Sequence, residues 1–263
     1  MTRIVNNCVA LVCLCLFWGQ SLRAADASHS EQIKWGNESV FNEEHNTLGL
    51  FSGVLGGQIV LAGGTSDDYS RWGRNAVCLS ENAGFALYED VLSKPLAYGA
   101  SITLSDGILC IGGRDSSQCY KDVFLVTMQQ GKLNVSEDWP PLPFPLSNAA
   151  GALLDNKVYL FGGRKSVSPS RLSDSFFVLD LSNKSRGWKE LPGYPGCVRE
   201  DAILVVQNNG VSPCLYLLGG QTETEEGLSS CLTDGYVYNP QLGKWSSLGS
   251  DFPKGICLSL IHI

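Results

Sequence analysis

Apolar positions along the chain come in short runs that end in paired glycines: Val60-Leu61-Ala62-Gly63-Gly64, Leu109-Cys110-Ile111-Gly112-Gly113, Tyr159-Leu160-Phe161-Gly162-Gly163 and Tyr216-Leu217-Leu218-Gly219-Gly220. The separations are 49, 50 and 57 residues. Runs this short, bounded by glycine, read as strands rather than helices. After each glycine pair comes a polar loop, then a third strand (Asp122 to Val126, Ser175 to Asp180, Gly235 to Tyr238), then a Trp-x-x-Leu strand (Trp188 to Leu191, Trp245 to Leu248). Each unit thus holds four short strands, and units are predicted at 46–89, 96–139, 146–191 and 198–248. A period this regular sets the architecture before any single motif does.

A lone four-stranded sheet of this kind has two apolar faces that only neighbouring sheets can cover. A two-sheet sandwich predicts no such self-similarity. The repeat resembles the kelch repeat, whose architecture is the β-propeller, so the fold class expected is all-β with blades arranged around a channel. Ile33 to Phe41 reads as a lone outer strand, and a further innermost strand is expected to begin near Pro253. That pattern predicts six blades in the complete protein and about four and a half in these 263 residues, whose last few, Leu258 to Ile263, lack the small residues that open the other innermost strands.

The glycine content, 29 residues, suits many tight turns. The formal charge is −7, with 19 Lys and Arg against 26 Asp and Glu, which excludes a protein that binds nucleic acid through a basic face. The first residues stand apart from the repeats. Arg3, an apolar run from Cys8 to Trp18 and then Ala24, Ala25 and Ala27 form a secretory signal, too short to span a bilayer comfortably. The expected division is a signal at 1–27 and a propeller domain at 28–263, with no membrane span after signal removal and a periplasmic or secreted location in a bacterium. A lipoprotein signal is disfavoured, because neither Cys13 nor Cys15 follows a small residue.

Seven cysteines remain beyond the signal: Cys78, Cys110, Cys119, Cys197, Cys214, Cys231 and Cys257. Their number is odd and they lack a C-x-x-C pair, so neither a disulfide framework nor a zinc site is predicted. Most read as small buried hydrophobes, with room for one disulfide in the Cys110/Cys119 neighbourhood. The histidines are His29, His45 and His262, near the two ends. A His-based metal centre and a Ser-His-Asp triad are therefore not expected, nor is a copper oxidase or a phosphate loop with its lysine. No cofactor or metal is expected.

Three strand-opening segments carry a more specific likeness: Pro95 to Ser101, Leu142 to Ala152 and Tyr194 to Glu200. They are similar to segments of bacterial N-acetylneuraminate epimerases, in the order of the family's cyclically permuted mutarotase group. The resemblance covers nearly all of residues 33–256. It implies an exported isomerase that interconverts the α and β anomers of sialic acid, with a small sugar acid as partner. By the permuted order, the glutamate the family is thought to use as acid/base, and its partner arginine, fall after residue 263, so no residue here is assigned that role. The alternative is a non-catalytic propeller that binds carbohydrate or protein, since kelch domains serve many functions.

Strand direction places the loops after the second and fourth strands on one rim. Arg71, Arg74, Arg114, Arg164, Arg171 and Arg199 all fall in such loops, with Arg186 elsewhere. An acidic chain that gathers arginines on one rim points to an anion, and the planar guanidinium suits a carboxylate. Candidate substrate contacts are Arg199, which stands where the resemblance places an arginine at the head of an innermost strand, with Tyr98, Asn148, Arg171, Arg114, Arg164 and Arg71. The competing role for Arg114 and Arg164 is to brace the blades through Asp115, Asp122 or Asp174. Glu200 is expected to form a salt bridge across the rim.

Overall fold

The computed structural model describes residues 48–80, 84–223 and 227–257. The signal expected at 1–27, the strand expected at 33–41 and the tail from residue 258 lie outside them. Four antiparallel sheets of four strands each follow one another along the chain. Blade one consists of β1 (Phe51–Leu55), β2 (Gln58–Ala62), β3 (Ala76–Ser80) and β4 (Gly84–Tyr88), bonded in that order. Blade two repeats it with β5 (Ala100–Thr103), β6 (Ile108–Ile111), β7 (Val123–Gln129) and β8 (Lys132–Ser136). Blade three has β9 (Ala150–Leu154) and β10 (Lys157–Phe161), a rim hairpin of β11 (Arg164–Ser166) and β12 (Arg171–Leu172), then β13 (Phe176–Asp180) and β14 (Lys189–Glu190). Blade four has β15 (Ile203–Asn208) and β16 (Pro213–Leu218), a second rim hairpin of β17 (Gln221–Glu223) and β18 (Ser229–Cys231), then β19 (Gly235–Asn239) and β20 (Lys244–Ser247). The expected all-β propeller is what the chain forms.

The second strands read as unbroken apolar runs because both of their faces are covered. In β6, Ile108 and Cys110 join the core shared with blade one, where they meet Phe51, Val60 and Phe124. The alternate residues Leu109 and Ile111 join the core shared with blade three, with Val158, Leu160 and Phe177. A third core, rich in aromatic rings, joins blades three and four through Tyr159, Phe161, Phe176, Leu215, Leu217 and Tyr238. Each innermost strand packs beside the next, β1 on β5, β5 on β9 and β9 on β15.

The glycine pairs fasten blade to blade. The second glycine donates its N–H to a carbonyl just before the following blade: Gly64 to Leu96 at 2.8 Å, Gly113 to Leu146 at 2.8 Å, Gly163 to Arg199 at 2.8 Å and Gly220 to Ile256 at 2.7 Å. A Cβ on Gly112 would stand 2.2 Å from the Leu146 carbonyl oxygen, so no side chain fits there.

The cysteines differ from expectation. Cys231 and Cys257 form a disulfide, with Cα atoms 5.6 Å apart. Cys110 and Cys119 are free buried thiols. They cannot pair because Cys110 faces the core between blades one and two, whereas Cys119 lies in a rim loop with its Sγ 3.5 Å from Ser147 Oγ.

Candidate functional site

A cavity of about 460 Å³ is lined by the innermost strands, by small or apolar residues such as Ser52, Ser101, Thr103, Gly151, Ala152 and Leu204. None of its lining residues is charged, so the polar chemistry has to be sought at the channel mouth.

There the heads of the innermost strands form a ladder. The Tyr98 N–H donates to Gly49 O at 2.7 Å, Asn148 to Tyr98 O at 2.6 Å and Asp201 to Asn148 O at 3.0 Å. All four residues are left-handed, with φ of 64° at Gly49, 60° at Tyr98, 56° at Asn148 and 52° at Asp201. Glycine, asparagine and aspartate visit this region readily; a tyrosine there is strained, at a cost on the order of 1 kcal/mol or more. The ladder brings the side chains of Asn148 and Asp201 together, while the Tyr98 ring meets Tyr69, Trp72 and Arg114. Asn148 Nδ2 donates to Asp201 Oδ1 at 2.9 Å, and Gln221 Nε2 to Asp201 Oδ2 at 2.7 Å. Burial pushes the Asp201 carboxyl up to about 6, reinforced by the charge of Glu200 and opposed by these amides and by Arg164. Burial, with a hydrogen bond shared with Tyr69, keeps the Tyr98 phenol protonated far above its ordinary range.

The rim arginines divide by partner. Arg74 pairs with Asp90 on the surface. Arg164 grips Glu200 with two bonds, Nε to Oε2 at 2.9 Å and Nη2 to Oε1 at 2.5 Å, and reaches Glu223 at 3.0 Å and Ser170 Oγ at 2.5 Å. The Glu200 bridge thus matches expectation, while Asp115 and Asp122 are engaged elsewhere, by Tyr120, Ser117 and Gln118 and by Lys94. Arg71 and Arg171 are exposed, Arg171 within β12.

Arg199 corrects the sequence reading. It is 0% exposed, one of the largest fully buried side chains, and holds Asp234 through two parallel bonds of 2.6 and 2.7 Å. Its remaining donors go to Gly219 O at 2.7 Å and Tyr194 Oη at 2.8 Å, with the Tyr194 and Tyr236 rings against the guanidinium. The guanidinium braces blades three and four and leaves no free fork for a substrate.

Arg114 is the contrast. Its guanidinium lies 4.7 Å from the Tyr98 ring centroid and 5.1 Å from that of Trp72, with a long bond of 3.4 Å to Asp115 O. Among the described residues it has no carboxylate within salt-bridge distance. Asp201, Gln221, Glu223, Tyr69 and Trp72 were missed by the sequence reading. Asp201 was within reach of it, because it occupies the register position of Tyr98 and Asn148. Among the described residues no cluster of three or more His, Cys, Asp or Glu is disposed to hold a metal, and no helix is long and apolar enough to cross a membrane.

Four-stranded blades, clamped to one another through glycine pairs, define a kelch-type β-propeller, with a polar mouth built from successive strand heads. Within it, residues 139–259 match the family model described as N-acetylneuraminate epimerase, and the likeness to that family is shown over this stretch. The N-acetylneuraminate epimerase of Yersinia pestis (strain Pestoides F) is 30% identical over 123 residues, 46% of this chain and 29% of the relative. That of Haemophilus influenzae (strain PittEE) is 31% identical over 121 residues, again 46% and 29%. A kelch domain-containing protein of Vibrio cholerae is 32% identical over 126 residues, 46% of this chain and 32% of the relative. The matched stretch therefore spans under a third of these relatives' length. The solved structure of YjhT superposes with a TM-score of 0.63 at 15% identity, over 80% of this chain and 72% of that one, which shows the fold.

Proposed function

We propose that the full-length protein is an exported mutarotase that interconverts the α and β anomers of N-acetylneuraminate. The observation that carries this is Arg114: a guanidinium at the channel mouth, against the rings of Tyr98 and Trp72 and without a carboxylate partner among the described residues. Two aromatic rings hold the guanidinium at one side without satisfying its N–H groups, of which one makes a long bond to Asp115 O, so its fork is open to a substrate carboxylate. Anomer exchange asks for a base to take the proton of the anomeric hydroxyl and an acid to protonate the ring oxygen as the ring C–O bond breaks; reclosure on the other face of the ketone reverses both transfers. In this reading the present chain binds and orients the sugar acid, with Asn148 and Tyr98 as hydroxyl contacts. The apolar run and small residues at 8–27 support export to the periplasm.

A non-catalytic sugar-binding propeller is favoured by one observation. Asp201, Glu200 and Glu223 are all engaged by donors at the mouth, so none stands as a free base. NMR of freshly released sialic acid separates the readings. The mutarotase accelerates conversion of α to β, and Arg114→Leu lowers kcat/KM about tenfold or more, the effect of losing a charge-assisted hydrogen bond. Saturable binding with no acceleration removes the enzyme reading.

A further inference from the structure

The rim loop of blade one is tied down tightly, yet it presents a large aromatic ring to solvent. Asp68 Oδ1 accepts from Ser66 Oγ at 2.6 Å, Ser70 N at 3.0 Å and Ser70 Oγ at 2.7 Å. Thr65 Oγ1 donates to Arg71 O at 2.7 Å across the same loop. Between these ties stands Tyr69, left-handed at φ 59° and 51% exposed. Its carbonyl accepts the Trp72 indole N–H at 3.1 Å, so Trp72 has its polar atom satisfied locally and offers only ring surface. The Tyr69 ring lies nearly parallel to that of Tyr98, with centroids 6.5 Å apart, and Trp72 meets Tyr98 edge-on at 6.3 Å. Arg114 closes the group over both Tyr98 and Trp72. A preorganised loop that leaves an aromatic ring in water, beside a cation without an acid partner among the described residues, has the two halves of a receptor for an amphipathic anion.

We propose that Tyr69, Trp72, Tyr98 and Arg114 form one composite subsite for a sugar acid, in which the rings take the apolar C–H face of the sugar and the guanidinium takes its carboxylate. Tyr69 and Trp72 then select for a sugar over a bare carboxylate, because acetate can satisfy Arg114 but has no face to lay on the rings. This deepens the mutarotase reading and rests on it for the identity of the sugar, but the subsite is tested by binding and the mutarotase by rate.

The full-length protein is titrated with N-acetylneuraminate, glucuronate and acetate, by calorimetry and by tryptophan emission, and melting temperatures are recorded for every variant. At least one of the two sugar acids is expected to bind more tightly than acetate, with a change in emission that Trp72→Phe abolishes. Tyr69→Ala is expected to weaken that sugar acid about five- to tenfold, leave acetate unchanged and leave the melting temperature within about 2 °C, as an exposed ring should. Tyr69→Phe keeps the ring and should retain wild-type affinity. Sugar-acid affinity unchanged in Tyr69→Ala, an emission change that persists in Trp72→Phe, or no binding of either sugar acid overturns the subsite. Tyr69-dependent binding without accelerated anomer exchange retains the subsite and removes the mutarotase; acceleration with Tyr69-independent binding does the reverse.

Discussion

Arg199 and Asp201 are two residues apart, and the repeat gives them opposite tasks. Arg199 occupies the place of Leu96 and Leu146, since the carbonyls of all three accept the N–H of a glycine pair. Its side chain therefore points where theirs do, into the seam between blades, and Asp234 follows it there as counter-charge. Burial pushes the Asp234 carboxyl up, but the bonds and charge of Arg199 outweigh it and hold it below the usual range. Arg199→Leu is expected to destabilise by about 3 kcal/mol, because it strips Asp234 of its counter-charge, whereas Arg199→Leu with Asp234→Asn should come back to within about 1 kcal/mol of wild type. Chemical denaturation of the two variants decides this, and a double variant as unstable as the single one removes the pairing argument. A rim arginine in an acidic chain looks like an anion contact in sequence; only its alignment with two leucines shows otherwise. Asp201 makes a pH prediction of the opposite sign to an ion-paired carboxylate. Its folded value is raised, so the stability it contributes is present in full below about pH 4 and is lost as pH rises through about 6. Asp201→Asn should abolish that part of the slope, so the stability difference between variant and wild type grows from pH 4 to 7 in favour of the variant. Parallel pH profiles for the two proteins would show that Asp201 does not titrate in this range.

The glycine pair is the element that was most legible, and the structure gives the reason. A backbone placed 2.2 Å from where a Cβ of Gly112 would stand admits one residue type, so the signature recurs at every blade and survives the variation of everything around it. Gly112→Ala should cost more than about 3 kcal/mol, by breaking the Gly113–Leu146 bond and the seam it closes. Gly131, also at positive φ but with nothing within 4 Å of its would-be Cβ, should cost only about 1 kcal/mol as alanine. Similar losses for both would mean that conformational freedom, not close approach, explains the pairs. The disulfide was far less legible, since no spacing rule joins residues 26 apart, one ending a strand of the rim hairpin and the other in the run-in that follows the fourth blade. Both lie on one rim because a blade returns its chain there after the second and the fourth strand. Peptide mapping without reduction should find Cys231 linked to Cys257 and Cys110 and Cys119 unmodified; a linked Cys110 would contradict the assignment. Opening the link by Cys231→Ser should lower stability by about 3 kcal/mol, the usual scale for a loop of this length.

At the scale of the whole molecule, blades communicate through seams, and the seams differ. Between blades one and two the core is largely aliphatic around Phe51 and Phe124, whereas between blades three and four it is a cluster of rings. Phe176 is at its centre, 0% exposed, with Tyr238 at 4.9 Å, Trp245 at 5.0 Å, Tyr159 at 5.9 Å and Phe161 at 6.1 Å between ring centroids. The period of apolar runs was enough to read the blades from sequence, because every blade solves the same burial problem. The mouth was only half legible, because its chemistry comes from side chains of different blades that meet through a backbone ladder, and no local pattern links Asn148 to Asp201 or Arg114 to Trp72. A molecule joined by successive seams behaves as a nearest-neighbour array, in which a loss at one seam is felt first by the two blades that share it. Phe176→Ala should remove about 4 kcal/mol from that seam. Hydrogen exchange read by mass spectrometry should then show protection falling in β10, β13, β16 and β19 while β2 and β6 keep most of theirs. A uniform fall across all four blades would mean that the propeller unfolds as one unit, with the seams acting together rather than in turn.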